Sequence, residues 1–145
     1  MRVKFISIMI LMSVLLLGCT KQTCMEYIRQ PKENVEKIEL IYNEKGNEST
    51  VLYTIEDDEL EDMFIKLAGV SMGKHREPHG SLGYLAIGLY YYDGDVELIG
   101  TQASAYLSDG NESEKELDSW HYISYSEVYE LFSQYIEPEM MPSAN

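Results

Sequence analysis

The sequence predicts an α+β domain in which an antiparallel β-sheet carries two amphipathic helices on one face, in the order β-β-α-β-β-β-β-α. Three observations predict it. Apolar residues alternate with polar ones through Ile38, Leu40 and Tyr42 and again through Val51, Tyr53 and Ile55, the period of a half-buried strand. Two other segments repeat apolar residues at i, i+3, i+4 and i+7, the period of a helix that buries one stripe. Asp93-Gly94 separates two further alternating runs, and this dipeptide suits the left-handed φ values of a tight hairpin.

In chain order, the run NEKGNES separates the first two strands as a turn. Asp58 then precedes Glu61 at capping-box spacing, and Leu60, Met63, Phe64 and Leu67 form a helical stripe before Gly69. The acids of EDDELED fall in its first turns and just ahead, where the positive end of the helix dipole favours them. Gly73, Pro78 and Gly80 mark residues 70–81 as a loop. Leu85, Ile87, Leu89 and Tyr91 alternate with the equally apolar Tyr84, Ala86, Gly88, Tyr90 and Tyr92, which predicts the centre of the sheet. Val96 and Leu98 return after the hairpin, and Ala105 to Leu107 form a short strand before the polar loop SDGNESEKELDS. Trp120, Tyr122 and Ile123 make the last strand. Ser124 and Glu127 repeat the capping-box spacing, and Val128, Leu131, Phe132 and Tyr135 complete a second helix before Pro138.

The N-terminus carries a different kind of signal. Arg2 and Lys4 precede the uncharged apolar run from Phe5 to Leu17, a charged region followed by a hydrophobic one. As a helix this run is roughly 20 Å long, short of the ~30 Å hydrocarbon core that a spanning helix must cross. It ends in Leu16-Leu17-Gly18-Cys19, which resembles the lipobox of bacterial lipoproteins. That resemblance implies that residues 1–18 are a lipoprotein signal peptide and that Cys19 receives lipid and becomes the first mature residue. The protein is then expected on the extracytoplasmic face of the cell membrane. Two acyl chains suffice for stable anchoring at about 0.8 kcal/mol per buried CH₂. Residues 19–34 are expected as the lipidated Cys and a polar tether, 35–137 as a single domain and 138–145 as a C-terminal tail. The layout is similar to small surface lipoproteins of Gram-positive bacteria that carry one α+β domain of unknown function.

The full chain has 11 Lys and Arg against 25 Asp and Glu, a formal charge of −14. Loss of Arg2 and Lys4 with the signal leaves 9 against 25, or −16. Such a surface repels polyanions, which sets nucleic acid aside as a partner. With Cys19 lipidated, Cys24 has no partner for an internal disulfide. It is expected as an incidental thiol in the tether, the alternative being an intermolecular disulfide or redox handle.

Candidate chemistry is sparse. The loop GKHREPHGS gathers Lys74, His75, Arg76 and His79, a positive cluster in an acidic protein, as a possible ligand or partner contact. A metal reading would use His75 and His79 with Glu77, but HREPH is not the zincin order and Pro78 opposes the helix that would align its histidines. Asp93, Asp95 and Glu97 have the spacing of the first EF-hand ligands, yet Leu98 occupies the glycine position and Ser104 that of the bidentate acid. No GxSxG, GxGxxG or P-loop pattern occurs, and no cofactor is implied. The expected function is a membrane-anchored, non-catalytic binding or interaction module for a cell-surface ligand. The alternatives are an immunity or inhibitor-like protein for a basic partner, and a surface enzyme with a site at the 74–79 loop.

Overall fold

The computed structural model describes residues 21–44 and 48–142. Cys19 and the signal segment lie outside the described residues. The elements are α1 (Cys24–Tyr27), β1 (Val35–Asn43), β2 (Ser49–Ile55), α2 (Glu59–Gly69), β3 (Met72–Lys74), β4 (Leu85–Tyr91), β5 (Val96–Gly100), β6 (Ser104–Leu107), β7 (Lys115–Asp118), β8 (His121–Ile123) and α3 (Tyr125–Phe132). Six strands form one sheet in the order β2-β1-β4-β5-β6-β7, and β3 pairs with β8 in a two-stranded ladder. Every pairing is antiparallel.

The expected α+β class with helices against an antiparallel sheet holds, and the register explains which face is covered. Ile38 lies opposite Ile55 and Leu89, Leu40 opposite Tyr53 and Ile87, and Ile87 opposite Ile99. These residues join Met63, Phe64 and Leu67 of α2 and Val128, Leu131 and Phe132 of α3 in one buried cluster. The two helical stripes therefore seal the same sheet face. Residues one step out of phase, among them Ile41, Ala86, Ala105 and Leu107, are also buried but do not belong to that cluster. β4, between β1 and β5, is buried at every position except the half-buried Tyr90, as a two-sided apolar strand should be.

Several elements depart from expectation. Residues 70–81 contain β3, and the polar loop 108–119 contains β7. β3 is only three residues long and includes a glycine, while Lys115, Glu116 and Leu117 of the edge strand β7 are exposed, so neither has an apolar alternation to detect. Trp120 sits in the turn between β7 and β8 rather than in the strand, its N–H donating to Asp118 Oδ1 (3.0 Å). Asp58 makes no capping hydrogen bond, because its backbone is already helical at φ −71, ψ −19, turned away from the extended form a cap needs. Ser124 does cap α3, accepting from the Glu127 N–H.

The largest correction concerns the tether. Cys24 is 0 % exposed within the main core cluster. Thr23 makes a full capping box with Glu26, and backbone bonds run from Cys24 N–H to Val70 O (2.8 Å) and from Met72 N–H to Gln22 O (2.8 Å). Residues 22–34 are a packed arm across the helix-bearing face. It lacks a sustained apolar period because its helical pieces, Cys24–Tyr27 and Lys32–Asn34, are too short to show one and much of it is held by polar contacts. At the other end, Pro138–Met140 form a short turn that returns Met141 to the core, so that part of the expected tail is packed.

Candidate functional site

Two polar regions bear on the candidate residues. The first lies where the 74–84 loop meets the ends of β1 and β5. His75 donates its backbone N–H to Trp120 O, and His79 donates its own to Ser119 O, both at 2.9 Å, so the loop is strapped to the β7–β8 turn. The His75 ring stacks on Tyr122 at 3.9 Å between centroids and 17° between planes, and the His79 ring lies 4.1 Å from it. His75 Nε2 lies 2.9 Å from the carbonyl oxygen of Gln102. A carbonyl only accepts, so Nε2 carries the hydrogen and is not free to ligate. Lys74 ends β3 opposite His121, and Arg76 is exposed. The histidines are thus brought together, while Lys74 and Arg76 stay apart from their contacts. Among the described residues no three His, Cys, Asp or Glu side chains are grouped to hold a metal ion.

Beyond His79 the loop turns over the sheet end. Gln102 N–H donates to Leu82 O (3.1 Å), Asn43 Nδ2 donates to Gly83 O (2.9 Å), and Ser81 Oγ donates to the Gln102 side chain (2.9 Å). Gly83 has φ +85 and Gly100 lies so near Leu82 O that a Cβ would approach it to 2.1 Å, so both positions need glycine. Between this loop and the adjoining ends of β1 and β2 opens a groove of about 440 Å³ with Glu44, Glu48, Tyr84, Gln102 and Lys115 on its walls. Lys74, His75, Arg76 and His79 do not line it; the Gly80–Tyr84 end of the same loop does. Sequence reading missed the groove because its walls come from four separate segments.

The second region lies under the arm. Glu97 is 2 % exposed and accepts from Tyr91 OH (2.8 Å) and from the Arg29 backbone N–H (3.0 Å). Burial raises its carboxyl above the ordinary value, against the pull of those two donors. Asp118 accepts from Tyr27 OH (2.7 Å), from the backbone N–H groups of Trp120 and His121, and pairs with His121 Nδ1 (2.7 Å). Burial opposes its ionisation, but these donors together hold its carboxyl below the ordinary range. Burial, then the bond to Asp118, pushes the Tyr27 phenol far up. Arg29 closes the array by pairing with Glu116 (2.7 Å) and lying over the Tyr106 ring (4.3 Å). These groups are consumed in fixing the arm, and the sequence signal that could have found them was the spread of Tyr, Asp and Glu over residues read as tether and turn. Asp95 and Glu97, weighed as calcium ligands, face Tyr106, Gln30, Tyr91 and Arg29 instead.

Among the described residues no helix is long and apolar enough to cross a membrane. The chain matches no family model, no curated protein and no solved structure, so its reading rests on its own residues.

Proposed function

We propose that this chain is a lipoprotein anchored through Cys19 at the extracytoplasmic face of the membrane, whose domain binds a polar cell-surface ligand without transforming it. The observation that carries the binding part is the groove of about 440 Å³ beside the Gly80–Tyr84 loop. It falls in the range of small-ligand sites, and its walls offer carboxylates, an amide, a lysine and the exposed Tyr84 ring. Such a lining suits hydroxyl-rich fragments of a cell wall. The anchor part is supported by Leu16-Leu17-Gly18-Cys19 after the apolar run.

Titration of the protein with soluble cell-wall fragments, followed by NMR, tests the binding reading. Shifts confined to the groove, weakened about tenfold by Glu48→Ala, are expected, on the scale of one lost charged hydrogen bond. Shifts elsewhere, or none, would remove it. Palmitate labelling that disappears in Cys19→Ala is the expected result for the anchor.

A second reading is favoured by one further feature. Glu56, Asp57, Asp58, Glu59, Glu61 and Asp62 are all exposed at the start of α2, a surface that would complement a basic protein, as in an immunity or inhibitor-like function. Its mark would be a partner contact at this helix end that weakens steeply with salt.

A further inference from the structure

The arm, expected as a polar tether, is instead built into the domain, close to the anchor. Gln22 O accepts from Met72 N–H and Cys24 N–H donates to Val70 O, each at 2.8 Å, and Thr23 forms an antiparallel bridge with Ser71. The chain leading from Cys19 thereby pairs alongside the 70–72 stretch that begins β3. The Glu26 carboxylate accepts from Thr23 N–H (2.8 Å), and Glu127 Oε1 accepts from Ser71 N–H (3.2 Å). Both flanking backbones are therefore held on their outer sides too. Cys24 is fully buried directly after the bridge. Three residue steps separate Cys19 from Gln22, a reach of at most about 10 Å even when fully extended.

We propose that this pairing is a mount that sets the domain on the bilayer in one orientation, with the end formed by Ser71, the last turn of α2 and the first turn of α3 against the headgroups. The inference rests on the anchor reading above. The charge distribution fits it. Ala68, Gly69, Ser71 and Ser126 provide a largely uncharged rim there, and the one cation of the last turn of α2, Lys66, is neutralised by Asp62. The two acids closest to the bridge, Glu26 and Glu127, are engaged by backbone N–H groups, and the exposed Glu130 lies a turn further along α3. The exposed acids from Glu56 to Glu59 stand at the opposite end of α2, roughly 15 Å from its last residue for 11 residues, while Asp62, nearer the rim, is paired with Lys66 and Glu61 with Lys32. That exceeds the ~8 Å over which physiological salt screens charge, so their repulsion from anionic lipid is weak in this orientation. The β4–β5 turn lies away from the mount, since Ser104 Oγ donating to His121 O and the His75 bond to Gln102 O tie β3 and β8 to the other end of β5.

The test uses the full-length lipidated chain in vesicles of phosphatidylcholine and phosphatidylglycerol doped with a headgroup-labelled acceptor lipid. A donor dye is placed at Ser126→Cys or, separately, at Tyr92→Cys, and the buried Cys24 thiol escapes labelling. Energy transfer is expected to be at least about twofold stronger from position 126 than from 92, a contrast set by the ~17 Å length of a five-residue strand. Insertion of twelve Gly and Ser residues after Cys19 should abolish that contrast, and amide exchange in the same vesicles should be slow at Cys24 and Met72. Equal transfer from both positions, or rapid exchange at those two amides, overturns the mount while leaving the anchor intact. Absence of lipid on Cys19 overturns the anchor itself, and is read separately by palmitate labelling.

Discussion

Glu97 and Cys24 show what burial does to single groups in this protein. Glu97 keeps two donors, Tyr91 OH and Arg29 N–H, yet desolvation raises its carboxyl above the ordinary 4.5. The folded state therefore binds a proton more readily than the unfolded one, and stability falls as pH rises through the window between the unfolded and the raised folded values. Glu97→Gln retains an acceptor for both donors and removes the ionisation. Its stability relative to the parent, followed by thermal unfolding, is expected to increase with pH across that window and then level off; a constant difference would show that Glu97 is not penalised. Cys24 is the opposite of a redox handle: burial, then the nearby Glu97 and Glu127 charges, pushes its thiol up to about 12. The thiolate is the nucleophile, so alkylation of native protein at pH 8 should be at least about a hundredfold slower than in denaturant. Rapid native labelling would mean that the arm opens freely.

At the scale of elements, the short β3–β8 ladder shows how packing can replace periodicity. A Cβ on Gly73 would meet the Tyr122 ring at 2.5 Å, so the ring lies directly over the glycine and His75 stacks on its neighbourhood at 3.9 Å. Gly73→Ala must displace this stack and is expected to destabilise the protein by about 1–3 kcal/mol, the usual range for overpacking. Denaturant unfolding measures the loss, and a moved His75 imidazole resonance would locate it. The long elements were legible for a complementary reason. The stripe Met63, Phe64, Leu67 and the stripe Val128, Leu131, Phe132 each repeat at helical spacing because each covers the same sheet face, and all six side chains are buried. β7 exposes Lys115, Glu116 and Leu117 and carries a polar contact at Asp118, and so leaves no apolar alternation for a periodicity argument to read.

For the whole molecule, the arm decides where the domain begins. A chain starting at Val35, the boundary that composition suggested, would uncover the pocket filled by Cys24 and leave Glu97 without the Arg29 N–H. It would also lose the Tyr27 bond to Asp118 and the Arg29 pair with Glu116. Removal of these contacts should lower stability by about 3 kcal/mol or more, through apolar core surface opened to water and the hydrogen bonds lost with the arm. Equal melting temperatures for the chains starting at Lys21 and at Val35 would return residues 21–34 to the status of tether.

The sequence by itself determined the α+β class, the two covering helices, the two-sided strand from Leu85 to Tyr91 and the expectation of a lipid on Cys19. Each of these is written in neighbouring residues, as a period, a cap or a short motif. Tertiary structure alone decided that residues 22–34 are an arm rather than a spacer, that Glu97 and Asp118 serve to hold it, and that the groove lies beside Gly80–Tyr84 instead of at Lys74–His79. Those features depend on pairings between segments far apart in the chain, Gln22 with Met72, Arg29 with Glu97 and Asn43 with Gly83. Hydrogen bonds of this kind need only a backbone N–H, a carbonyl or one polar side chain at each end, and so impose no local pattern on the residues that make them.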